Sequence, residues 1–225
     1  MRHLVLIVLI LAIVPAAQAF NTGNYYYAYG DSITRSTGYG DLPADGSANY
    51  ALQMRDMYDP CAPAGHNTDG GGQWSGWGWA NIETHINTSS FPSDKRPVVI
   101  VMFGVNDQKL SIVPRQYATE MIWMQRYIEG NGSYAVPVLP TLVRNGTLNF
   151  TWENQSYWLQ QVEKNLTRNN IWFIKGYDAV DSIPFNDQLD QFNQTNYAEG
   201  IHPNVTGQRM IADYIWTKLQ EREKK

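Results

Sequence analysis

Two strand-forming runs, each stopped by a glycine, set the strongest limit on how this chain can fold. Asn24 to Tyr29 (NYYYAY) ends at Gly30, and Pro97 to Phe103 (PVVIVMF) ends at Gly104. Aromatic and β-branched runs of this length read as buried strands running into turns. Between and after them the pattern changes to helix. Ser47 can cap a helix through about Tyr58, and Trp77 to Ile86 reads as a short one. Tyr117, Met121, Met124 and Ile128 recur at helical spacing between Pro114 and about Glu129. Tyr134 to Val143 and Ile171 to Ile174 are further strands. Thr151 caps a helix through about Arg168, and Val205 to about Arg222 closes the chain. Residues 60–78, dense in Gly and Pro, read as a long loop. Strands alternating with helices require right-handed crossovers and a mainly parallel sheet covered on both faces. Ligands in such sheets sit beyond the carboxyl ends of the strands. The chemistry is therefore expected just after the two glycine stops, at Gly30-Asp31-Ser32 and Gly104-Val105-Asn106-Asp107.

Composition removes several function classes. The 225 residues carry 17 Lys+Arg against 21 Asp+Glu, too acidic a balance for a phosphate-binding basic face. With 43% hydrophobic and 13% aromatic residues the chain is no disordered polymer. Its single cysteine, Cys61, excludes a disulfide framework and a cysteine-based metal centre. In its Pro/Ala/Gly loop Cys61 reads as incidental.

Residues 1–19 read as an address. Arg2 and His3 precede an unbroken apolar run from Leu4 to Val14, Pro15 breaks it, and Ala17-Gln18-Ala19 is the small-x-small pattern of signal-peptide cleavage. The run is short of the about 20 residues that a membrane span needs. A retained N-terminal anchor is the alternative. Cleavage leaves one domain, residues 20–225, with net charge −5 and no membrane span. Export also accounts for the sequons. Asn87, Asn131, Asn145, Asn149, Asn154, Asn165, Asn193 and Asn204 each begin Asn-x-Ser/Thr, where chance predicts roughly two. The expected product is a secreted or cell-surface glycoprotein, acting as a monomer.

Outside the leader there are three histidines: His66, His85 and His202. A nucleophilic serine needs a histidine base, and an acidic group to orient that base. Ser32 lies just after the first strand. His202 lies just before the last helix, in Tyr197-Ala198-Glu199-Gly200-Ile201-His202-Pro203-Asn204, with Glu199 three residues upstream. Alone, the serine of a Gly-Asp-Ser is more often a helix cap or turn residue than a nucleophile. His66 and His85, with Asp69 and Glu83 nearby, match no metal-ligand spacing and read as surface residues. No Gly-x-Ser-x-Gly elbow, phosphate loop or zinc-protease helix is present, and no cofactor is expected.

Together these pieces resemble the SGNH, or GDSL, hydrolases. Gly30-Asp31-Ser32-Ile33-Thr34 is that family's nucleophile block. Gly104-Val105-Asn106-Asp107 is similar to its Gly-x-Asn-Asp block, and Glu199-Gly200-Ile201-His202-Pro203-Asn204 to its Asp-x-x-His-Pro block. Ser75-Gly76-Trp77 looks like a variant of the remaining block, with Gly76 as its glycine and Gly72 in reserve. The resemblance implies a three-layer α/β/α sandwich with a mainly parallel, flavodoxin-like sheet. It also implies roles. Ser32 attacks an ester carbonyl, and His202 serves as base and then acid. The oxyanion is held by the N–H groups of Ser32 and Gly76 and by the Asn106 amide. Glu199 stands where the family usually has Asp, one methylene shorter. It orients His202, or a backbone carbonyl does so instead, or activity is impaired.

Trp74, Trp77 and Trp79 cluster beside the proposed oxyanion glycine, either as a platform for sugar rings or as ordinary packing of a helix start. The expected activity is hydrolysis of O-acyl esters, first of all O-acetyl groups on carbohydrate, so the partner is a small-molecule or polysaccharide ester. A lipolytic or thioester hydrolase is the alternative within the enzyme class. A carbohydrate-binding protein on an inactive scaffold is the alternative outside it.

Overall fold

The computed structural model describes residues 23–36, 46–87, 91–143, 151–180, 197–198 and 201–224. The leader 1–19, Glu199, Gly200 and the sequons at Asn145, Asn149 and Asn193 lie outside the described residues.

The chain opens with β1 (Asn24–Gly30), the four-residue α1 (Ser32–Arg35), α2 (Tyr50–Tyr58) and the short β2 (Ala64–His66). It continues through α3 (Ser75–His85), β3 (Arg96–Met102), α4 (Val105–Lys109), α5 (Pro114–Gly130) and β4 (Tyr134–Leu139). Then follow α6 (Trp152–Arg168), β5 (Ile174–Lys175) and α7 (Gly176–Val180). Last come β6 (Tyr197–Ala198), β7 (His202–Pro203) and α8 (Val205–Glu223). Strands β1 to β5 form one sheet in the order β2-β1-β3-β4-β5, every pair parallel. A separate antiparallel pair joins β6 to β7.

Period-two alternation sorts the side chains of the sheet. Tyr26 and Ala28 of β1, with Val98, Ile100 and Met102 of β3, face α2 and α8, where Met54, Ile211 and Ile215 are fully buried. Tyr29, Val99 and Val101 face the other way, onto Ile82 of α3, Tyr117 and Met121 of α5, and Val162 of α6. Two buried clusters on opposite faces of one parallel sheet make the three-layer sandwich expected from the sequence. The order reverses between β1 and β3, and that crevice is where a parallel sheet offers a ligand site.

Several local expectations shift. Asn49, not Ser47, caps α2, its side chain accepting from the Ala51 N–H at 2.7 Å. The long loop 60–78 contains β2, and α3 begins at Ser75 rather than Trp77. β4 stops at Leu139, where Pro140 has no N–H for a ladder. β5 is only Ile174–Lys175, and a helix not foreseen, α4, follows Gly104 at once. His66 and His85, read as surface residues, keep only part of their surface exposed. His85 packs against Tyr29 and Trp77 with Nε2 3.3 Å from Asp69.

Candidate active site

The loops after β1 and β3 meet the turn before α8 at the carboxyl ends of the strands. Ser32 is the first residue of α1. Asp31 caps that helix by accepting from the Ile33 N–H at 3.0 Å, and Ser36 ends it in the left-handed region at φ 53°. So short a helix has little stability of its own, and neighbours secure it. The Gln208 amide of α8 donates to the Ile33 carbonyl at 2.9 Å, the Asn49 amide donates to the Thr34 carbonyl, and the Thr34 hydroxyl meets Tyr50 Oη at 2.9 Å.

The turn that carries Ser32 has one more fastening. Asn67, just past β2, accepts from the Gly30 N–H at 2.9 Å and donates to the Gly30 carbonyl at 3.0 Å. Its own N–H continues the β1–β2 ladder to Ala28 at 3.1 Å. The sequence reading passed over Asn67. An Asn directly after a short edge strand was the only signal, and that strand was hidden in a Gly/Pro-dense stretch.

His202 stands on β7, 7% exposed, with Nε2 2.9 Å from Ser32 Oγ. Residues 170 positions apart are thus within hydrogen-bond reach. In the tautomer with Nε2 unprotonated, that nitrogen can accept a hydrogen bond from the serine hydroxyl, the geometry a general base needs. Asn204 caps α8, accepting from the Gly207 N–H at 2.9 Å, and so holds the turn that carries His202.

Gly104 has φ +129°, and a methyl group there would come within 2.6 Å of Pro140. That tight turn places Asn106, half-buried, in the first turn of α4, where its side-chain amide donates to the Gln73 carbonyl at 2.8 Å. Gly72, immediately before Gln73, has φ +74° and open space where a side chain would stand. Gly76 is the second residue of α3, its α-carbon under the Trp74 ring, which a methyl group would approach to 2.3 Å. Trp77 and Trp79, both on α3, pack against the buried cluster on that face of the sheet, Trp79 against Trp123 of α5 with ring centroids 5.5 Å apart.

Two carboxyls, Asp31 and Asp107, are buried behind the site. Burial pushes the Asp31 carboxyl up to about 8 and that of Asp107 up to about 6. Asp107 in turn accepts from the Ser75 N–H at 3.2 and 3.1 Å. Among the described residues no group of His, Cys, Asp and Glu side chains is arranged to hold a metal ion, and no helix is long and apolar enough to cross a membrane. The arrangement places a histidine nitrogen where it can take the proton of a serine hydroxyl.

Comparison with known proteins gives concordant results. The model of the GDSL-like Lipase/Acylhydrolase family matches residues 28–210. No curated protein matches the chain. A lipase/acylhydrolase from Enterococcus faecalis is similar over 88% of this chain and 96% of its own, with 19% identity and a TM-score of 0.67. A carbohydrate acetylesterase from Sinorhizobium meliloti is similar over 88% of this chain and 99% of its own, with 14% identity and a TM-score of 0.64. A member of the lipolytic G-D-S-L family from Veillonella parvula aligns over 88% and 99%, at 18% identity and a TM-score of 0.64. At these identities the structural likeness speaks for a shared fold.

Proposed function

The chain belongs to the GDSL-like lipase/acylhydrolase family, and from that premise we propose that it is a secreted serine esterase removing O-acetyl groups from carbohydrate. The observation that carries the catalytic part is the 2.9 Å contact between His202 Nε2 and Ser32 Oγ. His202 takes the Ser32 proton as the oxygen attacks the ester carbonyl. The tetrahedral intermediate collapses as His202 returns that proton to the leaving alcohol. Water, activated by the same histidine, then releases the acid from the acyl-serine. Glu199 is the proposed partner that orients His202 and stabilises its charged form.

Negative charge on the former carbonyl oxygen is met by the Ser32 N–H, the Asn106 amide and a backbone N–H from the loop before or at the start of α3. Gly76 is one candidate for that last donor. The Asn106 contact with Gln73 adjoins Gly72 directly and gives Gly72 the stronger claim.

Three features support acetylated carbohydrate. The leader points to export, Trp74 stands beside the loop that would hold the oxyanion, and one protein sharing the fold is a carbohydrate acetylesterase. A specific observation favours the lipolytic alternative. Leu110 and Val113, in the loop between α4 and α5 that follows Asn106, are 54% and 59% exposed.

The test is hydrolysis of p-nitrophenyl acetate, p-nitrophenyl palmitate and an acetylated polysaccharide by residues 20–225, with Ser32→Ala alongside. Ser32-dependent release of acetate in preference to palmitate is the expected result. Preference for palmitate selects the lipolytic alternative, and no Ser32-dependent hydrolysis of any ester leaves the inactive binding scaffold.

A further inference from the structure

A serine placed between two carboxyls ties the oxyanion side of the site to helix α5. Ser75, fully buried, opens α3. Its N–H donates to both oxygens of Asp107, and its hydroxyl meets Asp107 Oδ1 and Glu120 Oε2. Glu120, in the second turn of α5, is 6% exposed, and its other oxygen accepts from Gln116 Nε2 at 3.1 Å. One residue before Asp107, Asn106 donates to the carbonyl of Gln73, two residues before Ser75. The segments 73–75 and 106–107 are thus joined at two points. Glu120 reaches that junction from a third element.

A hydroxyl has one hydrogen, and here it faces two carboxyl oxygens. It can donate to only one, so the contact with the other is favourable only if a further proton is held between the two carboxyls. Burial pushes the Asp107 carboxyl up to about 6, and Glu120 adds to the rise. Asp31 and Tyr117 are the other ionisable groups in this electrostatic neighbourhood. A buried carboxyl is costly even when bonded, and an apolar residue of similar size is often as stable in its place.

We propose that Glu120 is a positioning residue for the oxyanion side of the site. Through the Ser75 hydroxyl it fixes Asp107, and with Asp107 the placement of the Asn106 amide. This role rests on the serine-esterase reading. An amide donor off its target by a fraction of an ångström loses much of its value in the transition state, while a substrate bound in the ground state hardly senses it.

The experiment measures kcat and KM on p-nitrophenyl acetate for wild type, Ser32→Ala, Glu120→Ala, Glu120→Gln, Ser75→Ala, Asn106→Ala and the double variant Glu120→Ala/Asn106→Ala. Asn106→Ala is expected to lower kcat about 100-fold, and Glu120→Ala about 10-fold with KM within about 2-fold. Glu120→Gln, which can still donate to Ser75, is expected to recover to within about 3-fold of wild type. The double variant is expected to be no slower than Asn106→Ala, because the second loss acts through the first. Ser75→Ala removes only the bridge and is expected to match Glu120→Ala, so it carries the test if Glu120→Ala does not fold. Losses that multiply in the double variant, a Glu120→Gln as slow as Glu120→Ala, or a Ser75→Ala with full kcat each overturn the proposal. Wild type without Ser32-dependent hydrolysis overturns the esterase reading and this role with it. Ser32-dependent hydrolysis with multiplied losses overturns the role of Glu120 alone.

Discussion

Asn67 holds the Gly30 residue by both its polar backbone atoms, accepting from the N–H at 2.9 Å and donating to the carbonyl at 3.0 Å. Gly30 ends β1 two residues before Ser32, so Asn67, just past the edge strand β2, takes part in placing that serine. Asn67→Ala leaves a buried N–H and a buried C=O unpaired. An orphaned buried group costs about 1–3 kcal/mol. Urea denaturation is expected to give a loss of about 2–4 kcal/mol, with kcat falling further than the folded fraction explains. A variant within 0.5 kcal/mol of wild type, on the scale of ordinary surface substitutions, contradicts this.

Asp31 gives the fold a pH dependence of predictable sign. Burial raises its carboxyl from 3.8 to about 8. The folded chain therefore binds a proton that the unfolded chain has already lost. Its contribution is fully present below about pH 4 and disappears as pH rises through 8. Asn at this position keeps a cap acceptor for the Ile33 N–H and never ionises. The thermal midpoint of Asp31→Asn relative to wild type is expected to rise by several degrees between pH 5 and pH 8. A constant difference over that range refutes the assignment.

Gly72 and Gly76 respond to a methyl group for different reasons. At Gly72 the space is open and the cost is the left-handed backbone at φ +74°, about 1 kcal/mol. At Gly76 the methyl group meets the Trp74 ring at 2.3 Å and must move it. If Gly72 supplies the backbone donor, Gly72→Ala lowers kcat by 10-fold or more while the melting temperature changes little. Gly76→Ala then acts mainly on KM, through the displaced tryptophan. The reverse pattern in steady-state kinetics assigns the donor to Gly76.

Glycosylation is expected to discriminate among the sequons. Asn131 is exposed just past the end of α5, whereas Asn204 is half-buried, caps α8 and stands two residues from His202. In protein secreted from a eukaryotic host, glycopeptide mass spectrometry is expected to find sugar at Asn131 and none at Asn204. A fully occupied Asn204 on active enzyme runs against the reading of that turn as part of the site.

Much of the architecture was legible because it depends on local pattern. The run Pro97 to Phe103 can only be a buried strand, the spacing of Tyr117, Met121, Met124 and Ile128 can only present one helical face, and Thr151 caps α6 where expected. Glycine stops after two such strands pointed to the loops that carry Ser32 and Asn106. β2 was missed because three residues with one strand neighbour leave no periodicity to read. Asn49 took the cap from Ser47 because the cap must lie immediately before the first helical turn, and the turn at Gly46–Asn49 moves that start.

Asn67, Ser75, Gln208 and Glu120 were invisible for a different reason. Each acts through a partner between 32 and 175 positions away whose identity no local pattern encodes. The sequence alone determined a doubly covered parallel sheet, a serine after its first strand and a histidine before its last helix, because periodicity and turn chemistry act between near neighbours. Only the tertiary structure decided that Ser32 and His202 come within 2.9 Å and that Ser75 stands between two buried carboxyls. Such contacts form where separate elements cross, and only the packing of those elements sets the distance.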